Sequence, residues 1–161
     1  MPQVNNANGA TNLTPTSAWL NGVLVSTGGA PAEVYVYWGA TDGGTNPATW
    51  TDRTNFGIAV EGALLTTNVI TVPGQIYFYR YYATNSAGDE GWASVSTAWT
   101  SPASPFIEAD QGAAPVGYTT ASLNGNLVSG LTATVWVFWG ADSNAWANTN
   151  TVGIRAQGAF W

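Results

Sequence analysis

The chain repeats itself, and in the same order. Residues 18–26 read AWLNGVLVS and residues 121–129 read ASLNGNLVS; residues 34–40 read VYVYWGA and residues 135–141 read VWVFWGA; residues 57–63 read GIAVEGA and residues 153–159 read GIRAQGA. A fixed repeat constrains the fold more than any other feature, because each copy must be built as the same packing unit. From Pro2 to Thr27 the offset is 103 residues, matching Pro2 to Pro105 and Leu20 to Leu123. It falls to 101 after a deletion around Gly28–Pro31, and to 96 after a shorter loop that places Trp50 opposite Trp146. Residues 1–104 therefore read as one complete module. Residues 105–161 read as the first half of a second copy, ending at Trp161 opposite Leu65, without a counterpart to Thr66–Ser104. The linker Ser101-Pro102-Ala103-Ser104-Pro105 is short and proline-rich, hence stiff.

No stretch has helical periodicity. Short alternating segments bounded by Gly, Asn, Pro and Asp predict strands near 3–7, 16–26, 33–39, 54–60, 62–70, 76–85 and 92–100. Seven short strands in about a hundred residues, with regular turns, predict an all-β Greek-key β-sandwich. Alternation assigns faces. Val34, Val36 and Trp38 share one face with Val135, Val137 and Trp139 as counterparts, and this common face is assigned to the core. Tyr35 and Tyr37, like Trp136 and Phe138, face the other way. Both Val34–Trp38 and Ile76–Ala83 thus carry aromatics on both faces, where a half-exposed strand would carry polar residues on one.

Composition removes much chemistry. There is no histidine, cysteine or lysine, so no Ser-His-Asp triad, thiol nucleophile, His/Cys zinc site or Schiff base is available. Three arginines against nine acidic residues give a net charge of −6, which argues against nucleic acid as a partner. No apolar run is long enough for a transmembrane helix, so membrane insertion is not expected. Met1-Pro2-Gln3-Val4 lacks the features of a signal peptide, as a mature chain or a fragment also would. Sparse charge with abundant Thr, Ser, Asn and Gly fits an exported protein. No cofactor or metal is called for.

The segment Pro73-Gly74-Gln75-Ile76-Tyr77-Phe78-Tyr79-Arg80-Tyr81-Tyr82-Ala83-Thr84-Asn85-Ser86-Ala87-Gly88 resembles the sixth strand of a fibronectin type III module: a Pro-Gly turn, a corner tyrosine, then Ala-x-Asn-x-x-Gly. Val34–Gly39 resembles the third strand. Leu20-Asn21-Gly22 and the Tyr-Trp-Gly followed by Asp-Gly-Gly are similar to tandem fibronectin-like repeats of large bacterial surface proteins. The resemblance implies an immunoglobulin-like sandwich, complete in the first copy and incomplete in the second. It makes Tyr77 the corner tyrosine, its hydroxyl bonded to nearby backbone. It departs from the family at Leu20-Asn21-Gly22, which replaces a core tryptophan; Trp38 is the expected substitute.

The resemblance also makes the third and sixth strands neighbours. Tyr35, Tyr37, Phe78, Arg80 and Tyr82 would then share one outer face, with Trp136 and Phe138 as its beginning in the second copy. Such a face serves as a cross-strand ladder, as an interface with another module or subunit, or as a glycan platform. Trp50 and Trp146 either seal the ends of their sandwiches or stack on sugars, and Trp92 is a further stacking candidate. Trp92 and Trp99, seven apart, point to opposite faces. Asp42-Gly43-Gly44 and Asp142-Ser143-Asn144 read as turns more readily than as calcium loops, which need six to eight oxygens. Asp89-Glu90 reads as a solvated turn rather than a glycosidase pair. Asn12-Leu13-Thr14 is a sequon, a weak signal alone.

A half sandwich leaves an open edge and an uncovered core face, so Leu123, Leu127, Val135, Val137 and Trp139 would lose partners. Either the chain is a piece of a longer array, or strands of another subunit fill the gap. The expected role is non-enzymatic: a structural or adhesive module of an extracellular bacterial surface fibre, self-associating through aromatic faces and strand edges. The alternative is a carbohydrate-binding accessory module of a secreted enzyme.

Overall fold

Side-chain alternation decides which residues turn inward. In Ser17–Ser26 the inward positions are Ala18, Leu20, Gly22 and Leu24; in Ala32–Gly39 they are Ala32, Val34 and Val36; in Ile76–Asn85 they are Tyr79, Tyr81 and Ala83. Leu20, Leu24, Val34, Val36, Tyr79 and Tyr81 have no accessible surface at all. Each such aliphatic side chain contributes about 2 kcal/mol of hydrophobic stabilisation.

These strands belong to a computed structural model that describes residues 1–109 and 112–161. The chain divides into two units, Met1–Pro102 and Ala103–Trp161, the division falling within the proline-bearing linker. The first unit contains β1 (Gln3–Asn5), β2 (Ser17–Ser26), β3 (Ala32–Gly39), β4 (Asp52–Ala59), β5 (Leu64–Ile70), β6 (Ile76–Asn85), β7 (Glu90–Trp92) and β8 (Thr97–Thr100). One antiparallel sheet has the order β1-β2-β5. The other has the order β4-β3-β6-β7, with β8 also on β6. Their inner faces share one apolar cluster, a β-sandwich-like arrangement.

The strand expected over 92–100 is broken. Tyr82 pairs with Trp92 and Tyr79 with Thr97; Ala93 N still donates to Tyr81 O at 2.9 Å, and Ser94–Ser96 bulge away beyond it. The bulge persists because its polar groups find side-chain partners. Arg80 Nε and Nη2 donate to the carbonyls of Ala93 and Ser94, both at 2.7 Å. The amide of Asn6 enters from the opposite sheet. Its Nδ2 donates to Val95 O at 2.9 Å, and its Oδ1 accepts from Tyr81 N at 3.0 Å. Asn6 thereby ends β1 two residues before the expected limit at residue 7.

The residue at the centre of the core also differs from expectation. Trp38 is only partly buried and packs at the margin of the cluster. The space opposite Leu20-Asn21-Gly22 is filled by Tyr81, whose hydroxyl donates to Leu65 O at 2.7 Å. The ring rests on Gly22, where a Cβ would come within 2.5 Å of it. The glycine on β2 is thus matched by a tyrosine on β6.

The second unit contains β9 (Phe106–Glu108), β10 (Ala113–Val116), β11 (Ala121–Leu123), β12 (Gly125–Trp139) and β13 (Asn148–Phe160). β10 and β11 form a two-stranded sheet, and β13-β12-β9 a three-stranded one. The break that separates β2 from β3 in the first unit has no counterpart here. Gly130 and Leu131, at φ 106° and 58°, carry the chain through a bulge, so both segments lie on one fifteen-residue strand. The buried cluster here is small: Leu127, Val135 and Phe160. Trp139, assigned to the core from its spacing, is 43% exposed, since no sheet among the described residues covers its face.

Candidate functional site

The outer face of β3 and β6 in the first unit is the densest aromatic surface of the chain. Antiparallel pairing sets Tyr35 opposite Tyr82 and Tyr37 opposite Arg80. Cross-strand neighbours on one face stand close enough for ring contact. The ring centroids of Tyr35 and Tyr82 are 5.9 Å apart, those of Tyr37 and Tyr82 6.1 Å, and those of Tyr35 and Tyr37 6.2 Å. β7 adds Trp92, 4.7 Å from Tyr82 and 5.4 Å from Tyr37. Phe78 packs at the margin of the same cluster.

A lid closes this face from the β3–β4 loop. Asp42 Oδ1 accepts from Gly44 N at 2.9 Å and from Ser96 Oγ at 2.7 Å, and Asn46 caps a 3-10 turn over Pro47–Thr49. The chain then delivers Trp50 onto the tyrosines, its ring lying against Gly43. Trp50, Tyr37 and Tyr82 are almost fully buried in this second, outer core. Tyr37 and Tyr82, expected at an interface, are therefore spent inside their own unit. Arg80, expected with them, holds the carbonyls of the bulge. Trp50 has no face left for a sugar ring, and Trp92 is half covered by Tyr82.

On this face the carboxylate of Glu33 and the hydroxyl of Tyr35 are paired, whereas the buried indole N–H of Trp50 has no hydrogen-bond partner. Glu33 accepts from the Tyr35 hydroxyl at 2.7 Å and from Asn55 Nδ2 at 2.8 Å. The two donors, the hydroxyl first, hold the Glu33 carboxyl below its usual range. The Tyr35 hydroxyl, bonded to that carboxylate, is pushed up to about 12. Burial raises Tyr82. Among the described residues, no three His, Cys, Asp or Glu side chains converge where a metal ion would sit. Asp142 closes a turn on Asn144 N at 2.9 Å, as Asp42 does on Gly44.

The core-side aromatics are placed by backbone contacts. Tyr77 accepts from Val72 N at 3.0 Å and stacks on Trp99, centroids 5.2 Å apart. Trp99 is buried in the main core, on the face opposite Trp92.

The corresponding face of the second unit is uncovered. Trp136, Phe138 and Trp146 are 51%, 55% and 54% exposed. Yet the hairpin beneath them is paired like its equivalent in the first unit. Val135 pairs with Gly153 as Val34 pairs with Gly57, and Trp139 with Asn148 as Trp38 with Asp52. The register slips at the same step in each, beside a glycine at φ 73° or 87°. β9 lies on β12 as β1 lies on β2, with Ile107 opposite Leu127 and Val4 opposite Leu24.

Two residues that hold the first unit together gave no pattern in the sequence, Asn6 and Ser101; Gly22 stood in the repeated Leu-Asn-Gly without its contact being legible. Ser101, 1% exposed, lies within 3.0 Å of Thr14 O, Pro15 O and Thr71 Oγ1. The nearest signal was the repetition of Asn-Gly at 21–22 and 124–125. No protein-family model matches the chain, and a search of curated proteins finds no match.

Proposed function

We propose that the chain is a stretch of tandem fibronectin type III-like modules from an extracellular bacterial surface fibre, non-enzymatic, whose units self-associate. The β1-β2-β5 and β4-β3-β6-β7 sheets and the matching hairpin registers support the fibronectin-like part of that reading.

One observation carries the associative part. The first unit seals its outer aromatic face with Tyr82, Trp92 and Trp50, whereas the second, on an equivalently paired hairpin, leaves Trp136 and Phe138 more than half exposed. Two adjacent large aromatics in water favour burial against another surface. The association surface thus moves from Tyr35, Tyr37 and Tyr82 to the second unit. Tyr35 and Phe78 remain as its half-buried counterparts in the first.

The test is sedimentation velocity and negative-stain electron microscopy of the chain and of a Trp136→Ser, Phe138→Ser variant. Concentration-dependent assemblies of the parent, lost in a variant with unchanged first-unit unfolding, support the reading. A parent that stays monomeric at all concentrations removes it.

A further inference from the structure

Of the strands that bound the two sheets of the first unit, all but one carry a feature that discourages a further neighbour. β1 is three residues long and slips in register at Gln3/Val4, and β7 and β8 have three and four residues. β4 begins with the charges of Asp52 and Arg53 and slips beside Gly57. β5 has none of these features. Its sequence LLTTNVI contains no charge, proline or glycine, and it pairs with β2 from Ser17↔Ile70 to Val23↔Leu64 without a slip. It ends the order β1-β2-β5, so among the described residues its other edge is unpaired.

The backbone phase of that edge is fixed. Ala63 O accepts from Leu24 N at 3.3 Å and Thr71 N donates to Thr16 O at 3.0 Å, at the two ends of the same ladder. Odd-numbered residues therefore bond to β2, while Leu64, Thr66, Asn68 and Ile70 turn their N–H and C=O groups to the free edge. The same four residues have exposed side chains, all on the outer face. Leu64 and Ile70, apolar at the two ends, are 66% and 86% exposed. Between them Thr66 gives its hydroxyl hydrogen to Asn21 Oδ1 at 2.9 Å, and Asn68 Nδ2 donates to Ala18 O at 3.4 Å. The Thr66 oxygen can still accept, and the Asn68 amide keeps a second hydrogen. Along its free edge the strand thus reads alike in both directions: apolar, polar, polar, apolar.

We propose that β5 pairs antiparallel with β5 of a second copy of this chain, about a twofold axis at Thr67, so that two three-stranded sheets become one. In that register Leu64 lies opposite Ile70 of the second copy, and Thr66 lies opposite Asn68 of the second copy. Every N–H and C=O of the free edge then finds a partner, apolar side chains meet apolar ones, and the Asn68 amide reaches the Thr66 oxygen. A slip of one residue puts the backbone groups out of phase. A slip of two sets Leu64 against Asn68, or Thr66 against Ile70. This self-complementarity is what identifies the occupant: a copy of the same strand meets both requirements along its whole length. A twofold contact closes on itself and gives a pair. The pairing stands independently of the fibre reading; joined to the second-unit contact proposed above, it would give each molecule the two contacts that a continuous fibre needs.

The chain has no cysteine, so a single introduced thiol reports the register. Thr67→Cys sets two thiols across the axis at a non-hydrogen-bonded pair, where Cα atoms stand about 4.5 Å apart, within disulfide reach. Leu64→Cys sets them about 20 Å apart along the strands. In the full chain carrying Trp136→Ser and Phe138→Ser, mild oxidation should cross-link Thr67→Cys into dimers at least about tenfold faster than Leu64→Cys. Sedimentation velocity of the same background, from about 1 μM to about 1 mM, should keep a monomer–dimer equilibrium where larger assemblies are lost. Ile70→Lys, at a position with no packing role in its own unit, should abolish the dimer and leave first-unit unfolding unchanged. Equal cross-linking rates, monomers at every concentration, or dimers that survive Ile70→Lys overturn the proposal. The fibre reading fails separately: a parent chain that cross-links at Thr67→Cys but forms nothing larger than a dimer keeps the pair and loses the fibre. Long assemblies of the parent without preferential cross-linking at Thr67→Cys do the reverse.

Discussion

The ring of Tyr81 lies on the backbone of Gly22, and nothing larger than hydrogen fits between them. Overpacking a filled core costs about 1–3 kcal/mol. Gly22→Ala should lower first-unit stability by that amount in urea unfolding. Combined with Tyr81→Leu, it should cost less than the sum of the two single changes, because the clash has been removed. Strict additivity would mean that the ring and the glycine are not in contact.

Asn6 satisfies Tyr81 N and Val95 O across the bulge while nearly buried. Asn6→Leu keeps the volume and leaves both groups without partners, at about 1–3 kcal/mol for each unsatisfied group. Unfolding measurements should show the loss, and the Tyr81 amide should exchange faster than its neighbours in β6. An unchanged Tyr81 amide would remove Asn6 from this role.

Trp50 and Trp146 hold corresponding places in the repeat but differ in burial. Trp50→Ala should cost about 3–5 kcal/mol, as expected for a large buried aromatic. Trp146→Ala should change unfolding by no more than about 0.5 kcal/mol, as for an ordinary exposed position. Binding of soluble or insoluble glycans that disappears in Trp50→Ala without loss of stability would instead favour a sugar platform.

Stability should fall at both ends of the pH scale. The Glu33 carboxyl is held below 4.5 by the Tyr35 hydroxyl and the Asn55 amide. Glu61 is held below it by Thr27 N–H and by the hydroxyls of Ser26 and Thr27. A lowered folded value stabilises above the unfolded one, and that contribution is lost as pH falls through the folded value. Burial pushes Tyr79 up to about 12, and Tyr81 is raised in the same way. Their contribution is complete below the unfolded value of 10.0 and is lost as pH rises toward the folded one. Urea midpoints across the pH range should show both declines, and Glu33→Gln with Glu61→Gln should flatten the acid limb. An unaltered acid limb would assign it to other carboxylates.

The strands and their inward faces were legible because alternation is a local property. Val34 and Val36 could be placed inside because the repeat keeps their face the same in both copies. The break between Trp92 and Thr97 was not, because it depends on Arg80 and on Asn6, which is more than seventy residues away from Tyr81 along the chain. The outer face was recognised as aromatic, but its closure by Trp50 depends on a loop path that only tertiary contact defines. In the second unit the spacing of Val135, Val137 and Trp139 was identical to that of a core. Only the missing cover shows that spacing specifies which way a side chain points and not whether anything meets it there.

The clasps at Asn6 and Ser101 have a mechanical consequence. Asn6 joins the opening strand to β6 and, through Val95 O and Thr97 Oγ1, to the closing segment; Ser101 joins the final residues to the Thr14–Pro15 turn. Tension applied at the C-terminal end of the first unit meets Ser101 before it reaches β8, and tension at the N-terminal end meets Asn6 directly after the three residues of β1. At these points the ends cannot peel away one rung at a time. Each must lose a group of bonds together, so the unit yields abruptly rather than gradually.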